Sequence, residues 1–169
     1  LDADQSAINR LYIKKMDNAF LAKPGDKVTA GFIKGAMSWM GGYVYLDKDN
    51  NGAFDVNYDD NGVNEAKDLM SYSMYKDKNS EGAAVSGEPA LNPPAFTIPA
   101  DLKPGFYRMR YKVDWDNVDP GGNPGPANKI TDNGGMILDT RVNIHGELVN
   151  LSRTTDDLGG GGLNGDILM

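Results

Sequence analysis

Cysteine is absent from this chain. That excludes a disulfide framework, a thiolate metal site and a cysteine nucleophile. It leaves secretion open, since bacterial surface proteins often manage without disulfides. Histidine occurs once, at His145. One imidazole without a second histidine or a Ser-x-Gly context supports neither a zinc site nor a nucleophilic triad; after Ile144 it reads as a surface residue at a strand end. No apolar run approaches the roughly 20 residues of a membrane helix. Positive charge is also in short supply: 17 Lys and Arg against 24 Asp and Glu give a net charge of −7. Nucleic acid and anionic membranes both need clustered basic residues, so neither is expected as a partner. The acidic balance suits a soluble extracellular protein that holds cations. No signal peptide is visible, and the start at Leu1 and the ending over 164–169 suggest part of a longer protein.

Helical periodicity is scarce too. Residues 8–20 alone carry a pattern compatible with a helix, and a strand is the favoured reading even there. What the chain has in quantity is turn-forming residues, Gly 21 and Pro 9 in 169, and period-two alternation. In residues 106–113, Tyr107, Met109, Tyr111 and Val113 fall on one face and Arg108, Arg110 and Lys112 on the other. A strand half in a core and half in water gives that arrangement. Residues 136–144 alternate likewise, and 42–46, 69–75 and 96–98 read as strands rich in aromatic and β-branched residues. Residues 23–26 and 103–105, each with Pro followed by Gly, are turn sequences. Residues 121–126 are a loop, and the glycine run at 159–162 lacks the Lys-Ser/Thr of a phosphate loop and reads as a spacer. The expected fold is all-β, a β-sandwich (jelly-roll-like) of antiparallel strands with long loops. It occupies 1–150, with 151–169 as a Gly-rich extension or linker to a further domain.

One loop carries recognisable metal chemistry. In YLDKDNNGAFD, residues 45–55, Asp47, Asp49 and Asn51 alternate and Gly52 follows. Alternate oxygen-bearing side chains in a tight loop converge on one point, and the spacing D-x-D-x-N-G is that of the first half of a calcium loop. A helix–loop–helix site would need a bidentate Glu at loop position twelve, where Tyr58 stands, so an EF-hand is excluded. A sheet-edge calcium site built from Asp47, Asp49, Asn51 and Asp55, with Asp59, Asp60 and Glu65 nearby, remains one reading. A turn made by Asp and Asn without any ion is the other.

The remaining candidates divide in the same way. Asp114, Trp115 and Asp116, with Asp119 beyond them, could bind a sugar, the indole stacking and the acids accepting hydroxyl protons, or supply a glycosidase pair. Alternation puts Trp115 on the core face, as a buried indole flanked by solvated acids; Trp39 reads as core as well. The stripe Arg108, Arg110 and Lys112 could take an acidic glycan, or pair across strands with the chain's own carboxylates.

Three segments together resemble a known family. Residues 42–54, GYVYLDKDNNGAF, look like the first signature strand and loop of the GEVED domain. Residues 96–110, FTIPADLKPGFYRMR, resemble its second signature, an I-P-A-D-A-x-P-G turn feeding a strand with R-M-R. Residues 135–144, GMILDTRVNI, stand in the place of G-E-V-E-D-Y-x-V-x-I, keeping Gly135 and Asp139. Met136 and Leu138 replace the two glutamates, and Thr140 the tyrosine. The resemblance implies a β-sandwich module of a secreted or cell-surface bacterial protein, accompanying hydrolase or adhesin domains. The expected function is therefore a non-catalytic accessory module that binds carbohydrate or a cell-surface polysaccharide, with calcium at its acidic loop. The alternatives are a structural spacer or docking domain beside a hydrolase domain, and a glycosidase using Asp114 and Asp116.

Overall fold

The computed structural model describes residues 11–30, 40–59, 62–74, 76–85, 92–114, 118–121 and 134–146. Those residues form nine strands and no helix: β1 (Leu11–Ala22), β2 (Lys27–Val28), β3 (Gly41–Leu46), β4 (Asn57–Asp59), β5 (Gly62–Glu65), β6 (Leu69–Ser73), β7 (Phe96–Thr97), β8 (Gly105–Asp114) and β9 (Met136–Ile144). The fold is all-β, as the alternation and turn chemistry predicted, and residues 11–20 of the segment compatible with a helix form a strand. Strands β2, β4 and β5 are too short to leave a periodic signature.

The main sheet has five strands in the order β1-β9-β8-β3-β6. Its centre is antiparallel, while β1 lies parallel to β9 at one edge, with a register shift between Lys14 and Ala19. Two ribbons complete the architecture, β2 with β7 and β4 with β5. The described strands do not assemble a second sheet of comparable size; a ribbon lies against each face instead. Val44, Leu46, Met109, Val142 and Ile144 project from one face onto Phe96, Ile98 and Leu102, beside β2 and β7. Full burial of such side chains is worth about 1.5–3 kcal/mol each. From the opposite face Tyr43 and Tyr45 meet Phe54, Leu69 and Val118, with Tyr58 and Val63 of the β4–β5 ribbon against them.

This two-sided covering corrects the expectation that β8 is half wet. Cross-strand register sets Lys112 opposite Tyr43 and Arg110 opposite Tyr45. Both cations therefore lie under the second cluster, Arg110 at 2% and Lys112 at 0% exposure. Period two reveals that a strand has two faces, not whether a neighbouring ribbon covers the polar one.

Glycine has a steric role at the start of β9. A methyl group at Gly135 would come within 2.4 Å of the Val113 carbonyl oxygen. Only a residue without Cβ lets β8 and β9 approach there.

Candidate functional site

The three signature segments meet on the buried polar face. Asp139 of β9 stands opposite Arg110 of β8. Arg110 donates Nε to Oδ1 at 2.7 Å and Nη2 to Oδ2 at 2.9 Å, and gives Nη1 to the Pro120 carbonyl at 2.9 Å. This is a bidentate fork on a carboxylate, the strongest geometry available to the pair. Tyr12 of β1 donates its hydroxyl to Asp139 Oδ2 at 3.0 Å. Burial, then the Asp139 charge, raises the Tyr12 pKa. The Phe54 ring lies 4.4 Å from the Arg108 guanidinium and 4.9 Å from that of Arg110. Phe54 closes the first signature, Arg108 and Arg110 are the R-M-R of the second, and Asp139 belongs to the third.

A second buried network sits one register step away. Lys112 Nζ lies 3.0 Å from Asp114 Oδ2, donates to the Asp119 carbonyl, and is 5.2 Å from the Tyr43 ring centre. Burial lowers its pKa to about 8 against the opposing pull of Asp114. Asp114 Oδ1 accepts the Gly134 amide at 2.7 Å, and Asp119 accepts from Tyr58 and from the Gly121 amide. Burial and then Asp119 push the Tyr58 pKa up to about 12. The cations of the stripe thus pair with the chain's own carboxylates. Asp114 is 3% exposed, so its carboxylate serves this network and is turned away from solvent. Trp115 and Asp116, with Trp39 and Asp60, lie outside the described residues.

The acidic loop is held by its own amides. Asp47, buried, accepts Asn51 N at 3.1 Å on one oxygen and Gly52 N at 3.0 Å on the other. Asp49 Oδ1 accepts Asn51 N, and Asn51 Oδ1 accepts Ala53 N at 2.7 Å. Gly52 takes φ 88° and Asn50 φ 55°, left-handed conformations that Gly and Asn adopt readily. Asp68 ties the loop to the chain beyond, accepting from Lys48 N and Asp55 N. Burial raises the pKa of Asp47 and of Asp68; Asp49 and Asp68 add to the effect at Asp47, while the two amides oppose it. Among the described residues no group of three or more acidic or histidine side chains is placed to hold a metal ion. Asp68 gave no signal in the sequence, since its partners lie 13 and 20 positions away.

Beside the Arg110–Asp139 pair the surface opens into a concavity of about 470 Å³ lined by Tyr12, Lys14, Met16, Gly52, Arg108, Arg110 and Asp139. Arg108, with its side chain 26% exposed, gives Nη1 to the Gly52 carbonyl at 3.0 Å, and its Nε stands 3.6 Å from Asp139. Directly across from Arg108 in the β8–β9 ladder is Arg141. The Nε atoms of Arg108 and Arg141 are buried without a hydrogen-bond partner among the described residues. Arg141 lies 5.2 Å over the ring of Phe106, which is 55% exposed. Tyr12, Lys14, Phe106 and Arg141 were not singled out from the sequence, because only the β1–β9–β8 register brings them together.

No curated protein matches the chain. Among protein families, the GEVED domain matches residues 42–139, more than half of the length, a span that contains the first two signature segments and the start of the third. The chain therefore belongs to the GEVED domain family.

Proposed function

We propose that this GEVED domain is a non-catalytic accessory module of a secreted or surface-attached bacterial protein, and that it binds carbohydrate at a cell surface. The observation that carries the reading is the open concavity at Arg108 and Lys14, beside a buried network whose acids already engage cations and amides. Asp139 and Asp114 are committed to Arg110 and Lys112, which argues against either acting as a catalytic acid. Pockets of this volume take small ligands or a short stretch of a chain. Retention on a panel of cell-wall and extracellular polysaccharides tests the proposal: saturable binding to one of them is expected, and a broad panel without a hit defeats it.

Calcium is part of the same proposal. Asp47, Asp49 and Asn51 would hold the ion, and its charge would favour the ionised carboxylate of Asp47, whose pKa burial raises. The loop's amide bonds close the turn by themselves, so the ion would stabilise a formed loop rather than create one.

A structural spacer or docking role is the second reading. Its support is that the signature residues pair among themselves: Phe54 lies against Arg108 and Arg110, and Asp139 pairs with both arginines. Loss of the domain with no change in the surface binding of its parent protein would favour the spacer.

A further inference from the structure

Two arginines directly opposite each other on one sheet face are an unfavourable arrangement. Cross-strand neighbours have Cβ atoms only about 4.5–5.5 Å apart, and like charges at that distance repel. Arg108 and Arg141 occupy such a pair. Asp139, the carboxylate between the strands, gives its short contacts to Arg110, at 2.7 and 2.9 Å, and stands 3.6 Å from Arg108. That last separation is beyond hydrogen-bond reach. Both Nε atoms remain without an acceptor among the described residues. Lys14 lines the concavity together with Arg108 and Arg110. On a chain of net charge −7, this is a local concentration of positive charge at an open surface, with an exposed aromatic ring, Phe106, beside it.

We infer that the concavity at Arg108 and Lys14, with Arg141 across the ladder from Arg108, binds the carboxylate of an acidic saccharide, a polysaccharide built from uronate units. The inference rests on the carbohydrate-binding reading and names the class of sugar. A carboxylate is planar and accepts two parallel N–H donors from one guanidinium, which a neutral hydroxyl cannot do. It also adds a negative charge beside the Arg108–Arg141 pair, whose neighbouring carboxylate, Asp139, accepts two hydrogen bonds from Arg110. The exposed ring of Phe106 offers an apolar face for the C–H side of a sugar ring, and the concavity of about 470 Å³ has room for a ring beyond the carboxylate. Binding through charge-assisted contacts at a half-exposed site weakens as salt rises.

Calorimetric titration with polygalacturonate tests the inference, with fully methyl-esterified polygalacturonate, a neutral glucan and polyglutamate as comparison ligands. Binding to the acid polymer is expected, at least tenfold weaker or absent for its ester, and weaker in high salt. Arg141→Gln and Lys14→Gln leave the Phe54 stack and the Arg110–Asp139 pair in place. Each should reduce affinity by about tenfold, the size of one lost charge-assisted contact, with an unfolding midpoint that does not fall. Arg108→Lys keeps the charge, loses the fork, and should weaken binding by a similar factor. Equal binding of acid and ester, or full affinity in all three variants, overturns the inference. So does polyglutamate bound as tightly as the uronate, since the site would then read carboxylates without the sugar. Binding confined to the neutral glucan, untouched by the variants, overturns it while leaving the carbohydrate-binding reading standing. Absence of binding to any saccharide defeats both.

Discussion

Arg110 and Asp139 face each other across β8 and β9 and share two parallel hydrogen bonds of 2.7 and 2.9 Å, in a layer where Arg110 is 2% exposed. Removing two charges from water is costly, and the pair offsets that cost only while both members are present. Arg110→Met and Asp139→Leu should each lower stability by about 3–5 kcal/mol, because each leaves a buried charge without its partner. Arg110→Met with Asp139→Leu should recover most of the loss. Denaturant unfolding of the four proteins in a double-mutant cycle checks this; additive losses would mean that the pair is not coupled.

Phe54 anchors the acidic loop beneath the same layer. It is 1% exposed and lies against Tyr45, Arg108 and Arg110. Phe54→Ala should cost about 3–5 kcal/mol as a cavity opens, and Phe54→Leu less. The difference between the two reports what the aromatic face contributes beyond its bulk. Thermal and denaturant unfolding give both values.

Lys112 should leave a mark on the pH dependence of stability. Its folded-state pKa is lowered to about 8, below the 10.5 of a free lysine. Between those values the unfolded chain binds the extra proton, so this group's contribution to stability rises as pH increases from about 8 toward 10. Above 10 the raised pKa values of Tyr45 and Tyr58 act oppositely, because unfolded tyrosines ionise first. Lys112→Met should flatten the rise between pH 8 and 10, at a cost in stability from removing the cation beside Asp114 and the donor to the Asp119 carbonyl. Unfolding midpoints across that range decide it.

Calcium should raise the unfolding midpoint by several degrees, and a chelator should reverse the rise. At a hundredfold excess over the dissociation constant, mass action gives about 2.7 kcal/mol. Because burial raises the Asp47 and Asp68 pKa values above 3.8, acidification through the folded-state values protonates the loop, favours the folded chain relative to neutral pH, and should abolish the calcium response. An identical thermal transition with calcium and with chelator would remove the ion from the account. Asp47→Ala should lose the response and also the two carboxylate oxygens that accept the Asn51 and Gly52 amides and fix the turn.

Gly135 should tolerate no side chain. Gly135→Ala places a methyl group 2.4 Å from the Val113 carbonyl, and separating β8 from β9 there should cost more than about 1 kcal/mol. Gly25→Ala makes a useful comparison, since nothing lies within 4 Å of its added Cβ and only its φ of 85° opposes the change.

Much of the fold was legible because strands announce themselves by alternation. Residues 106–113 and 136–144 fall within β8 and β9. Hidden from the sequence was the covering of both faces of the main sheet. Arg108, Arg110 and Lys112 alternate as a solvent-facing stripe would, yet two of the three are buried. Their burial depends on Tyr43, Tyr45, Phe54 and Val118 converging from other parts of the chain, and no local pattern encodes that convergence. The acidic loop was legible as a turn, down to the glycine at its reversal. Its tie to Asp68 was not. The Arg108–Arg141 pairing was equally invisible, since it exists only once the β8–β9 register is known.

The parallel docking of β1 on β9 fixes how the domain would respond to tension. Chain direction is shared along that edge, from Leu11 beside Met136 to Ala22 beside Ile144. A pull applied backwards through Leu11 and forwards through Ile144 would slide the two strands lengthwise past each other. The backbone bonds between them would then carry the load together, as rivets in a lap joint do, rather than parting singly like a zip. A module anchored at both flanks in flowing liquid would gain mechanical resistance from this edge.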